Sequence, residues 1–542
     1  MSSSVFADSI NSVSSVSGLA ARFTRDCGEA RKIDAFGFLS ALAERLSLPR
    51  KRGAVILVTA DTPLLASRGE GKTTATLALV DALRARGVDA AAVLRQPSMG
   101  ITAAGSKGGA SGGGKSSLKQ AQLADWGLFG EMARIETAQN LIVSRAEKAL
   151  EEGELDEILL PRVSEIPSKA LRHIVVATGI KRTAAASAGT GVAATTDTAA
   201  SVGVAETCVL TPTCELTQIL VLARSREDAL GRVGRMIVGV KQGAAVLARD
   251  VVDPRRVLMA LGDAFDPAIL ETLGGSPVYM HCGPFANVSL GIPSLSSIEA
   301  ARALHDVVIV EAGYGADAGA EKYLDVAVRR YGAPMPSAAV VVARATTWLG
   351  DRNLRWRFPF NIGRLEKDGI PCVPLVNLWD GEDSRVPTLR AASRELGLRE
   401  PIVGNLFRDG NEPLVPQLDG LLDLLNRDGE TSALPARDGM PLLDRLALLI
   451  ADSYGVPTER IVERESFRPS LERARALTAD AGIDWDGLAI NAIKSPATIT
   501  DDDRLPQDQR TVTLKKATLH AGAGLLCVNL TTSLTTSMPK IV

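Results

Sequence analysis

Within this 542-residue chain, the segment Gly69-Glu70-Gly71-Lys72-Thr73 points most directly to chemistry. Its two glycines let backbone N–H groups crowd round an anion. Lys72 has the reach for β and γ phosphates, and the Thr73 hydroxyl suits a coordination position on Mg2+. With Thr74 these residues form the expected nucleotide-binding set; Lys72 doubles as a catalytic group and Thr73 as the metal ligand. The strict motif has glycine at position 66, where this chain has Ala66. An ordinary strand-to-helix turn is the competing account. The setting favours phosphate, because Ala54–Thr59 reads as a strand and Leu77, Val80 and Leu83 recur at helical spacing behind Lys72.

Three further features belong to the same edge of a sheet. A right-handed crossover brings the expected strand Val88–Leu94 back parallel to Ala54–Thr59, so Arg95 at its tip lies beside the turn. An arginine there suits developing charge on a phosphoryl group, although a strand-end salt bridge would also use it. After it comes Gly105–Lys115, with six glycines in eleven residues, whose bare backbone with Lys107 and Lys115 could close over an anion or simply link two elements. Glu311 ends the apolar run Val307–Val310, the usual place for a carboxylate that holds Mg2+ beside such a turn; a solvated strand end is the alternative.

Positioning these groups requires a framework of buried strands. Besides the runs already named, Ile174–Ala177, Ala338–Val342 and Cys372–Val376 read as strands; Thr74–Arg86, Ser225–Val238, Ile298–Leu304 and Leu442–Asp452 read as helices. This alternation predicts an α/β, P-loop NTPase-like fold: a mostly parallel sheet with helices on both faces and smaller appended α/β subdomains. The expected division is a flexible tail over 1–30, a nucleotide-binding body over 31–345 with a low-complexity insertion at Ala184–Ala205, a second α/β subdomain over 346–433 and a C-terminal subdomain over 434–542. That last part carries a β-rich tail from Thr511.

Bulk composition removes several function classes. Net charge is −2, from 61 basic and 63 acidic residues, so nothing recruits nucleic acid or a membrane surface. No apolar run approaches the roughly 20 residues of a bilayer span. The six cysteines are scattered without a Cys-x-x-Cys pair, which fits buried or incidental thiols of a reducing compartment, and a cytoplasmic location is expected.

Several blocks then resemble one family, formate–tetrahydrofolate ligase. They are Gly69–Thr74, Leu94-Arg-Gln-Pro-Ser-Met-Gly100, Lys107-Gly-Gly-Ala-Ser-Gly-Gly-Gly114, the stretch from His281 to Asn287, and that from Glu311 to Lys322, with weaker echoes at Ala521–Gly524 and Met538–Lys540. The resemblance spans nearly the whole chain. It implies an ATP-dependent ligase in which formate attacks MgATP to give formyl phosphate, and tetrahydrofolate then takes the formyl group. It also implies Arg95 and Lys72 as catalytic residues, a homo-oligomer (a tetramer in the family) and activation by a monovalent cation. Lys107, Gly108, Gly109, Glu311, Trp379 and Phe407 are the expected substrate-binding residues.

Departures from the family pattern cluster round the acceptor. Asn377-Leu-Trp-Asp-Gly-Glu382 stands where the family has Asn-Arg-Phe-Pro-Thr-Asp, leaving Trp379 as the stacking face. Phe407 is the aromatic candidate in a segment where the family has tryptophan. Lys115 replaces a tyrosine, Gln96 a glutamate and Leu290 a histidine. Three readings follow: the full ligase with a diverged folate pocket, a carboxylate-activating ligase with another amine acceptor, or a nucleotide-binding paralogue with little chemistry.

Overall fold

The computed structural model describes residues 15–530 except 28–29, 46, 49–50, 65–68, 98–110, 128, 166–173, 178–202, 207, 285, 427–433, 435–436 and 438, and side chains are not described for 174–177 and 203–206. A ten-stranded sheet runs through the body. In chain order its strands are β1 (Thr24–Cys27), β2 (Ala30–Ile33), β3 (Ala54–Ala60), β4 (Ala90–Leu94), β5 (Ala268–Glu271), β6 (Pro277–Met280), β7 (Val307–Glu311), β8 (Ala338–Arg344), β9 (Cys372–Asn377) and β10 (Ile402–Gly404). Their spatial order is β1-β2-β5-β6-β4-β7-β3-β8-β9-β10. From β6 to β10 every pairing is parallel, and β5, β2 and β1 extend the sheet antiparallel.

The continuous apolar runs follow from burial on both faces. Val55 and Leu57 of β3 point into one core and Ile56 and Val58 into the other; Val308 and Ile309 of β7 divide in the same way. With a side-chain period of two, a strand covered on both sides has no polar face to show. The expected P-loop-like α/β class is what the chain forms.

Strand order refines the expected crossover. β3 and β4 are parallel, as the helix Lys72–Ala85 between them requires, but they are not neighbours. β7 sits between them, with Ile309 opposite both Ile56 and Ala92. Glu311 at its end is therefore placed between the phosphate turn and Arg95.

Other expectations change. Residues 15–27 do not fray: Ser15 caps a helix, Val16–Phe23, whose Leu19 is fully buried, and β1 follows. Ile174–Ala177 is a strand, but it pairs antiparallel with Gly203–Glu206 outside the main sheet, so the low-complexity stretch ends in a strand. The expected helix Ser225–Val238 stops at Gly234, and the β-branched pair Ile237-Val238 opens a strand, Ile237–Lys241. Residues 346–433 do not form a separate layer, because β9 and β10 continue the main sheet. Beyond Leu442, two helices and a four-stranded sheet build their own apolar core. The buried pairs Lys494–Asp317 and Arg357–Asp503 join this C-terminal unit to the body.

Candidate active site

At the C-terminal edge of β3, the turn is shaped by two left-handed glycines, Gly69 at φ 100° and Gly71 at φ 81°. Gly71 caps the helix Lys72–Ala85 without a side-chain bond, so the first N–H groups of the helix are not capped there. A Cβ at Gly71 would also stand 2.4 Å from the Asn377 amide nitrogen at the end of β9, so that side chain would have to shift in addition to the strain of the left-handed φ. Lys72 holds its ammonium 6.0 Å from the ring centroid of Tyr314, whose own φ is 57°.

Glu70 is placed differently from its neighbours. Its carboxylate is buried and accepts from the Arg344 N–H at 2.8 Å and the Thr347 hydroxyl at 2.9 Å. Burial pushes it above the usual carboxylate range. Beneath it, Asp61 is raised well above its ordinary value by burial and by the Glu70 charge. The Glu70 side chain thus anchors the turn to β8, which leaves its backbone as the part available to a phosphate.

Arg95, read as catalytic, and Thr73, read as the metal ligand, converge on Glu311. One carboxylate oxygen accepts from Arg95 at 2.5 Å and the other from the Thr73 hydroxyl at 2.9 Å. Glu311 is almost fully buried, whereas Arg95 stays partly open. The Arg95 Nε–H is enclosed without an acceptor among the described residues, so its donor fork is incompletely used. This oxygen-rich pair, Thr73 and Glu311, is the hard donor set that Mg2+ prefers.

The expected acceptor residues follow adjacent strands at the same edge, Trp379 in a loop and Phe407 in the short helix Leu406–Asp409. Trp379 follows β9 and Phe407 follows β10, and the Leu378 N–H to Gly404 carbonyl bond at 2.9 Å holds the loop bases together. Trp379 is half exposed, with the Arg344 guanidinium 3.9 Å from its ring centroid on one face. Phe407 lies against Gly113, where an added Cβ would be 3.0 Å from its ring. The Lys115 N–H donates to the Phe407 carbonyl at 2.9 Å, and its exposed ammonium lies 3.9 Å from Glu412. Thr74 opens the helix partly exposed. Lys107, Gly108 and Gly109 fall outside the described residues.

Sequence pattern did not single out Asn377, Arg344, Asp61 or Tyr314. Asn377 and Arg344 end β9 and β8, and position at a parallel-strand tip is the signal that could have found them. Gln96 is enclosed with neither amide atom partnered among the described residues. The buried trio Glu131, His281 and Cys282 has ligand-type atoms close together. Both His281 nitrogens are engaged, at 2.6 Å from the Ser294 hydroxyl and 2.7 Å from the Ala264 carbonyl, and burial lowers its pKa to about 4. A neutral core histidine fits better than a metal ligand.

Comparison with known proteins bears on this geometry. The family model described as formate–tetrahydrofolate ligase matches residues 4–353. A formate–tetrahydrofolate ligase of Bifidobacterium longum (strain NCC 2705) is 57% identical over 520 residues, covering 96% of this chain and 99% of the relative. Another from Sinorhizobium medicae (strain WSM419) is 30% identical over 505 residues, covering 88% and 84% respectively. Among the described residues no helix is long and apolar enough to cross a membrane. The phosphate turn, the Thr73–Glu311–Arg95 cluster and these matches agree: the chain belongs to the formate–tetrahydrofolate ligase family, whose members are ATP-dependent carbon–nitrogen ligases.

Proposed function

We propose that the chain joins formate to tetrahydrofolate at the expense of ATP, in two steps. A formate oxygen attacks the γ-phosphorus, the bond to the β-phosphate oxygen breaks, and formyl phosphate and ADP form. The arylamine nitrogen of tetrahydrofolate then attacks the formyl carbon. Its proton leaves, the carbon–oxygen bond to phosphate breaks, and 10-formyltetrahydrofolate is released.

One observation carries this reading: the partly used Arg95 fork held by Glu311 beside the phosphate turn. Lys72 and the helix N-terminus would neutralise the β and γ phosphates of ATP. Thr73 and Glu311 would hold Mg2+, which when bound draws charge from the phosphate oxygens. Arg95 would stabilise the charge that gathers on the phosphoryl group in both steps, already oriented before it appears. The free face of Trp379, opposite Arg344, and the Phe407 ring offer stacking surfaces for the flat pterin. Activation by a monovalent cation and assembly into a homo-oligomer belong to the same proposal.

Measuring ADP release from MgATP with each substrate omitted in turn tests it. Turnover that needs both formate and tetrahydrofolate supports the reading. ADP release that ignores tetrahydrofolate but needs formate would replace the acceptor, and silence in every condition would overturn it.

A further inference from the structure

A cavity lined by no residue of the phosphate turn lies between the body and the C-terminal unit. Its volume is about 460 Å3, a size typical of small-molecule sites. One wall is the helix Phe467–Asp480, which presents Ser470, Ala474 and Leu477 from a single face. Another is the strand Val512–His520, which contributes Lys516 through His520. Most of the remaining lining is apolar, including Leu159, Val209 and Ile237.

The helix wall also carries Arg473, whose guanidinium is paired with Glu157 at 2.7 Å, which leaves Glu215, His520 and Lys516 as the ionisable groups a ligand would meet. At the inner end, Glu215 is only 4% exposed, and its Oε1 accepts from the Gly522 and Ala523 N–H groups at 2.5 and 3.1 Å. Its Oε2 has no partner among the described residues, although Glu215 lines the cavity. His520 holds Nδ1 3.6 Å from the Cys527 sulfur, and its other nitrogen has no partner among the described residues. Lys516 is exposed and has no ion-pair partner among the described residues. Four residues of strand separate Lys516 from His520, roughly 13 Å of rise. The Glu215 carboxylate, which lines the cavity with one oxygen not engaged by a protein donor among the described residues, can therefore accept from a ligand N–H.

We propose that this cavity binds a small molecule with an N–H donor at one end, a flat apolar body and an acidic group at the other. Glu215 takes the N–H group, the walls cover the body, and Lys516 pairs with the acid. The site is separate from the nucleotide site and does not depend on the ligase reaction proposed above.

A simple probe is para-aminophenylbutyrate, titrated into the full chain by calorimetry or ligand-observed NMR. Saturable binding with a Kd of about 1 mM or tighter is expected for a molecule of this size. Phenylbutyrate, which lacks the amine, should bind at least about fivefold more weakly, and Lys516→Glu and Glu215→Gln should each weaken the amine by a similar factor. Saturating MgATP should not displace the probe. Lys516 is exposed, so its variant keeps the test sound even if Glu215→Gln does not fold. Absence of saturable binding, equal affinity for phenylbutyrate, an unchanged affinity in Lys516→Glu, or displacement by MgATP would each overturn the proposal.

Discussion

Arg95→Ala tests the centre of the mechanism. The substitution removes a guanidinium 2.5 Å from a carboxylate whose side chain is 3% exposed, while Arg95 itself is 18% exposed. It leaves Glu311 enclosed with the Thr73 hydroxyl as its remaining side-chain donor among the described residues. Breaking a fully buried pair from one side costs about 3–5 kcal/mol. Water can reach the partly open Arg95 position, so a loss of about 2 kcal/mol in folding stability is expected here. The kinetic effect should be larger. A donor preorganised for developing charge is worth about 100- to 1,000-fold in kcat. Formate-dependent ADP release should therefore fall at least about a hundredfold, while ATP affinity without formate moves less than about fivefold, because the Lys72 turn is untouched.

A double-substitution cycle separates stability from catalysis. Adding Glu311→Gln to Arg95→Ala removes the uncompensated charge and should restore about 1 kcal/mol of stability without restoring the rate. Urea unfolding and the ADP assay on the four proteins give both quantities. A kcat for Arg95→Ala within about threefold of the parent would refute the proposed role of the arginine. Strictly additive stability losses would refute the coupling.

Three other outcomes follow from the geometry. Gly71→Ala must adopt φ near 81° and meets the Asn377 amide, so ATP affinity by calorimetry should weaken at least about tenfold; an unchanged affinity would count against the turn as the phosphate site. Trp379→Ala should raise the KM for tetrahydrofolate about fivefold and leave that for ATP near the parent value, with Trp379→Phe in between; equal KM values for all three would remove Trp379 from the pterin site. Burial raises the Glu131 carboxyl from 4.5 to about 8. The folded state thus binds that proton more tightly than the unfolded chain, so the contribution is fully present below about pH 4.5 and is lost as pH rises to about 8. Glu131→Gln should flatten the pH dependence of the urea midpoint across that window, and an unchanged slope would contradict the assignment.

By itself the sequence determined the local pieces. Glycines in a strand-to-helix turn, an arginine after one apolar run and a carboxylate ending another are legible because backbone conformation and strand burial are encoded within a few residues. The family blocks added the chemistry those pieces serve. Tertiary structure decided which groups meet. Arg95 and Glu311 are 216 positions apart and Thr73 and Glu311 are 238 apart, and they touch because β7 is placed between β3 and β4. Strand order is set by packing of whole elements over both cores, and no local pattern records it. For the same reason the sequence could not show that Glu70 turns inward to β8, that Arg344 covers one face of Trp379, or that the Asn377 amide lies against position 71.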